Sequence, residues 1–148
     1  MDERDLLGDV PLGKLGGAKV LVVDDDEEIR TFLVTLFSDE GALTFEAEDG
    51  DQALEMAAQK RPDLITLDLS MPGRDGIETF CDLRRNPGTE EIAVCIITGH
   101  PEFRRVIYDR PVAPPEGFLN KPCQPDVVVD TARRILGLRK RKQSRAKE

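Results

Sequence analysis

Hydrophobic and polar positions along the chain switch repeatedly between two periods. "KVLVV" (19–23), "DLITLDL" (63–69) and "IAVCIIT" (92–98) are apolar runs of strand length, "ALTFEA" (42–47) alternates, and "EGFLNK" (116–121) is a shorter strand. Helical patterns follow each strand. "EEIRTFLVTLFS" places Ile29, Phe32, Leu33, Leu36 and Phe37 on one face. "GDQALEMAAQK" is helical by propensity. "DGIETFCDLRR" aligns Ile77, Phe80 and Cys81, and Phe103, Val106 and Ile107 give a fourth apolar face. Pro111 lacks a backbone donor and disfavours helix at Arg110, so this fourth helix is predicted short, about two or three turns between 101 and 110. Pro114 and Pro115 then predict an extended connection into the last strand. In "QPDVVVDTARRILG", Val128, Ala132, Ile135 and Leu136 share a face, Pro125 suits the first turn and Gly137 suits the stop.

Five strand–helix repeats predict an α/β fold, a doubly wound parallel sheet with helices on both faces. Residues 1–17, with Gly8, Pro11, Gly13, Gly16 and Gly17 and no sustained period, are expected to form a flexible leader. The domain is expected over 18–137, and 138–148 form a basic tail. In such a sheet the ligand crevice lies beyond the carboxyl ends of the strands. Those ends carry Asp24, Asp25 and Asp26, then Asp68, Thr98 and Lys121.

Composition narrows the function classes. The longest apolar runs are strand-sized, which predicts no membrane helix, and the acidic opening "MDERDLLGDV" lacks an apolar signal core. The expected location is therefore cytoplasmic. Cys81, Cys95 and Cys123 have neither disulfide-framework nor zinc spacing and are expected to be reduced, mostly buried thiols. From Arg133 onward, eight Lys or Arg and one Glu give +7, which leaves −15 for the preceding residues of a chain whose total is −8. An acidic body argues against nucleic acid as a partner, whereas the tail could touch an anionic one.

Carboxylates gathered at one strand edge repel, by roughly 4 kcal/mol for two unit charges 4 Å apart at an effective dielectric near 20. Asp24, Asp25 and Asp68 together therefore need raised pKa values or a bound cation. Oxygen-only ligands at an open site suit Mg²⁺. An ammonium from Lys121 and a hydroxyl from Thr98 complete what a transferring phosphoryl group requires, and one carboxylate can act as nucleophile. The sequence has no phosphate-cradling glycine loop followed by Lys-Ser/Thr, so a nucleoside triphosphate is not the evident donor.

"VLVVDDDEEIR", "DLITLDLSMPGRDGIE", "CIITGH" and "FLNKPC", in this order and spacing, resemble the receiver domain of two-component response regulators over about residues 18–137. The resemblance implies a flavodoxin-like strand order 2-1-3-4-5 with a shortened or distorted fourth helix. It implies Asp68 as phosphoacceptor and Asp25 as a direct Mg²⁺ ligand. Asp24 would assist directly or through water, with the Ser70 carbonyl as a further ligand. Lys121 would meet the phosphoryl group, Thr98 would turn inward to it, and Phe118 matches the aromatic switch. Gly99 matches the small residue that leaves the acceptor accessible, and Pro122 the proline reached through a cis bond. His100 is either a partly exposed loop residue or a group overhanging the site and tuning water access. The implied donor is a phosphohistidine on a sensor kinase or a phosphotransfer protein. The implied output is a downstream protein partner, with the domain a phosphoacceptor rather than an enzyme.

Other readings use the same residues. Asp25 or Asp26 could cap the first helix. "VVDDDEE" also resembles the start of haloacid-dehalogenase-type phosphatases, with Asp24 as nucleophile and Asp26 as acid/base, although Glu28 departs from that motif and Asp68 has no role in it. A degenerate receiver acting as a phosphorylation-independent binding module is the third possibility. A stand-alone receiver is the reading these residues favour.

Overall fold

A computed structural model describes residues 14–70 and 75–147, and side chains among them as far as residue 138. Residues 1–13 of the expected leader and Met71-Pro72 of the second motif lie outside the described residues. Five strands, β1 (Lys19–Val23), β2 (Leu43–Ala47), β3 (Leu64–Leu67), β4 (Ala93–Thr98) and β5 (Gly117–Asn120), pair in parallel in the order β2-β1-β3-β4-β5. They alternate with α1 (Glu27–Asp39), α2 (Gly50–Lys60), α3 (Gly76–Arg85), α4 (Phe103–Tyr108) and α5 (Pro125–Lys147). This is the predicted doubly wound sheet, in the implied order.

The strand period of two divides the core between the faces of the sheet. Val20 and Val22 of β1 pack with Leu33, Phe37, Val128, Ala132 and Ile135, from α1 and α5. Leu21 and Val23 pack with Ala53, Ala57, Phe80, Leu83 and Ile107, from α2, α3 and α4. The three central strands β1, β3 and β4 are buried on both sides from Val20 onward, which is why their sequences are apolar except at Lys19, Thr66 and Thr98.

Three boundaries differ from expectation. Leu15 is buried in the α1–α5 core, Leu15 N–H donates to Glu40 O, and Lys14 pairs with Asp130 at 3.1 Å. Residues 14–17 therefore belong to the packed unit, not to a leader. Gly137 does not stop the last helix, which continues to Lys147 through residues expected to be a separate tail. Helix α4 is shorter than two turns, spanning Phe103–Tyr108.

A side chain on α3 holds the proline-rich connection after α4. Arg84 is buried, with its guanidinium 5.1 Å from the Phe80 ring centroid. It donates to the carbonyls of Ile92 at 2.8 Å, Ala113 at 3.1 Å and Pro114 at 2.9 Å, and to Glu116 Oε2 at 2.6 Å. Glu116 Oε2 also accepts Val94 N–H, and Glu116 N–H donates to Val94 O, which extends the β4–β5 ladder backwards by one residue. The connection thus has its carbonyls satisfied by one buried cation instead of by a longer helix.

Candidate functional site

The ends of β1, β3, β4 and β5 meet because each is tied to a neighbour just beyond its last ladder position. Asp24 N–H donates to Ala47 O, Asp68 N–H to Val23 O, and Lys121 N–H to Thr98 O. The oxygen atoms of Asp24, Asp25 and Asp68 converge within 4.8 Å of one another. Asp24 and Asp68 are buried and Asp25 is exposed. Lys121 Nζ donates to Asp24 Oδ2 at 2.8 Å and lies 3.6 Å from Asp68 Oδ2.

Each sequence-predicted residue has a distinct position here. Thr98 is fully buried at the end of β4, and its Oγ1 accepts His100 N–H at 3.2 Å. Ser70 is exposed, and its N–H donates to Asp68 Oδ1 at 3.2 Å. Gly99 is exposed, leaving the strand end without a covering side chain. The Lys121–Pro122 bond is cis. Phe118, half-buried on β5, packs against the α2–α4 core with the Arg104 guanidinium 5.5 Å from its ring centroid. Asp26 is the N-cap of α1, accepting from the N–H groups of Glu28 and Ile29, so the capping role falls to the third aspartate and leaves the first two to the site. His100 is exposed, and its Nδ1 sits 3.1 Å from Glu102. All three cysteines are free, with Cys81 and Cys95 buried and Cys123 half-buried.

The electrostatics express an excess of negative charge. Burial pushes the Asp68 carboxyl up to about 6, against the Lys121 ammonium, which pulls it down, and with Asp24 and Asp25 pushing it further up. Burial disfavours the charged Lys121, but its hydrogen bond to Asp24 and the charges of Asp68 and Asp24 outweigh this and raise its pKa. Among the described residues, one ammonium faces three carboxylates. An oxygen-only donor set with uncompensated charge fits a hard divalent cation.

Three residues beside the site, Gly76, Asp75 and Arg30, were given no role by the sequence. Gly76 lies so close to the acceptor loop that a Cβ there would overlap Leu69 Cα and the Asp68 carbonyl, and its N–H donates to Leu69 O. Asp75 caps α3 from the preceding position. The Asp-Gly pair of the second motif thus starts α3 directly against the Asp68 backbone. Arg30 on α1 donates to the Asp24 main-chain carbonyl at 2.8 Å. The spacing of Arg30 from the aspartates carries no signal for that contact without the turn between them.

The sequence profile of the response regulator receiver domain matches residues 20–133. The chain is similar to sporulation initiation phosphotransferase F of Bacillus subtilis, 36% identical over 121 residues that cover 82% of this chain and 95% of that protein. It is similar to chemotaxis protein CheY of Halobacterium salinarum, 33% identical over 118 residues covering 80% and 96%. Among solved structures, chemotaxis response regulator CheY4 of Vibrio cholerae superposes with a TM-score of 0.73 at 30% identity, covering 80% of this chain and 98% of that one.

Proposed function

The chain belongs to the response regulator receiver domain family, and from that premise we propose that Asp68 takes a phosphoryl group from a phosphohistidine donor. A carboxylate oxygen of Asp68 forms the new P–O bond. The P–N bond to the donor imidazole breaks, and the imidazole nitrogen keeps the electron pair. The product is an acyl phosphate. The observation that carries this reading is the position of Asp68 beside both Asp25 and Lys121 at the carboxyl edge of the sheet.

The other residues take roles that follow from their positions. Asp25 and Asp68, with Asp24 and the Ser70 carbonyl, would hold Mg²⁺, which when bound supplies neutralising charge to the phosphoryl oxygens. Lys121 now bridges Asp24 and Asp68 and is within reach of a group carried on Asp68. Among the described residues the Thr98 hydroxyl accepts a hydrogen bond and donates none, so its proton is available to a phosphoryl oxygen. Movement of Thr98 toward that oxygen opens space for Phe118, and the change reaches a downstream protein through the face carrying α4 and β5. The same groups would assist hydrolysis of the acyl phosphate, with His100 at the mouth.

The proposed setting is the cytoplasm, with a sensor histidine kinase or a histidine phosphotransfer protein as donor. The presence of Asp24, Asp25, Asp68, Thr98 and Lys121 at the strand ends supports this reading over a degenerate module. The test is incubation with a beryllofluoride phosphoryl mimic, with and without Mg²⁺, followed by backbone amide shifts. The expected result is Mg²⁺-dependent change at Asp68, Thr98 and Phe118. No change at these positions would refute the switch.

A further inference from the structure

Arg30 is a cation beside the site that the phosphoryl chemistry leaves unused. Its Nη1 donates to the Asp24 carbonyl at 2.8 Å, and its Nε donates to Glu46 Oε1 at 3.1 Å. The Arg30 side chain is 14% exposed, against 50% for Glu46. One guanidinium therefore joins α1, the residue just past β1 and the edge strand β2.

The peptide held this way is the one that leads into Asp25. Asp24 is fixed at four atoms: its N–H by Ala47 O, its carbonyl by Arg30, Oδ1 by Asp26 N–H, and Oδ2 by Lys121. Asp25 differs. Among the described residues nothing hydrogen-bonds or ion-pairs with its carboxylate, although that carboxylate is part of the converging cluster. Its direction is set through its backbone, and the preceding carbonyl is the handle on that backbone.

We propose that Arg30, braced by Glu46, is a positioning residue for the divalent-cation site. It orients the Asp24–Asp25 peptide so that the Asp25 carboxylate faces Asp68. The inference rests on reading the acidic cluster as a metal site, and deepens it. Arginine is needed because its planar fork reaches a carbonyl and a carboxylate at once, which one ammonium does not do in the same geometry. Groups behind metal ligands commonly tune affinity in this way.

The experiment uses the full chain with Arg30→Lys, Arg30→Gln, Glu46→Ala and the double variant Arg30→Gln/Glu46→Ala. Mg²⁺ affinity is measured by calorimetry, together with the melting temperature and the Asp25 and Asp26 amide shifts of the metal-free protein. Both Arg30 variants are expected to bind Mg²⁺ about tenfold more weakly and to shift those amides. Glu46→Ala should weaken binding in the same direction, and adding it to Arg30→Gln should cost no more, because the pair acts as one unit. Glu46→Ala keeps Arg30 in place and tests the brace if an Arg30 variant does not fold. Wild-type affinity in Arg30→Lys would reduce the effect to charge and overturn the proposal. So would a lowered melting temperature with affinity unchanged. If the wild-type protein binds no Mg²⁺, the metal reading itself fails and takes this proposal with it. If wild type binds and every variant binds equally, only this proposal fails.

Discussion

Lys121 Nζ hydrogen-bonds Asp24 at 2.8 Å and stands 3.6 Å from Asp68, so in this state the lysine belongs more to the metal side of the site than to the acceptor. It acts as an internal counter-ion for carboxylates that would otherwise repel at close range. Lys121→Ala is therefore expected to keep Mg²⁺ affinity at or above that of the wild type, because a competing cation is gone. It should lose the response of Thr98 and Phe118 to phosphorylation. Calorimetry and amide shifts with the beryllofluoride mimic check the two halves separately. A lost metal site with an intact response would reverse the assignment.

The raised Asp68 carboxyl predicts a pH dependence with a definite sign. Its value is about 6 in the metal-free fold against an ordinary 3.8. The folded protein thus holds a proton that the unfolded chain releases between those values. Stability of the metal-free protein should fall as pH rises from about 4 to about 6 and then level off. Mg²⁺ binding displaces that proton, so affinity should drop as pH falls through about 6. Urea unfolding across this range in chelator, and Mg²⁺ titration at each pH, give both slopes. The low-pH gain should vanish in Asp68→Asn.

Strand-end chemistry was the most legible part of the sequence. Asp24, Asp68 and Thr98 directly follow apolar residues, Asp25 and Lys121 come one residue later, and a parallel sheet brings such positions to one edge whatever the connections do. What stayed hidden depends on packing between distant segments. Leu15 is a lone apolar residue among glycines, and one buried side chain makes no period. Gly137 resembles a helix stop, yet glycine costs only about 1 kcal/mol against alanine inside a helix, and the Arg, Lys, Gln and Ala around it favour continuation. Arg84 occupies a position on α3 that ordinarily carries a solvated charge. Only the fold puts the Ala113 and Pro114 carbonyls over it.

That last contact predicts a large effect from a residue far from the chemistry. Arg84→Ala removes a buried guanidinium and with it the donor to the Ile92, Ala113 and Pro114 carbonyls and to the part-exposed Glu116. The expected cost is about 3 kcal/mol in urea unfolding. Arg84→Lys should recover little of this, since one ammonium does not span Ile92, Ala113, Pro114 and Glu116 together. Glu116→Gln should cost much less than Arg84→Ala, because its side chain is 40% exposed and amide oxygen still accepts from Val94. Equal losses in the two variants would contradict the central role given to the guanidinium.

The measurement that bears most directly on the account is the site of the acyl phosphate. Wild type and Asp68→Asn would be treated with acetyl phosphate and Mg²⁺, reduced with borohydride to mark the acyl phosphate, and mapped by peptide mass spectrometry. The expected result is a single Mg²⁺-dependent mark on Asp68 in the wild type and none in Asp68→Asn, whose amide is a poor nucleophile. A mark on Asp24, or undiminished marking of Asp68→Asn, would contradict it.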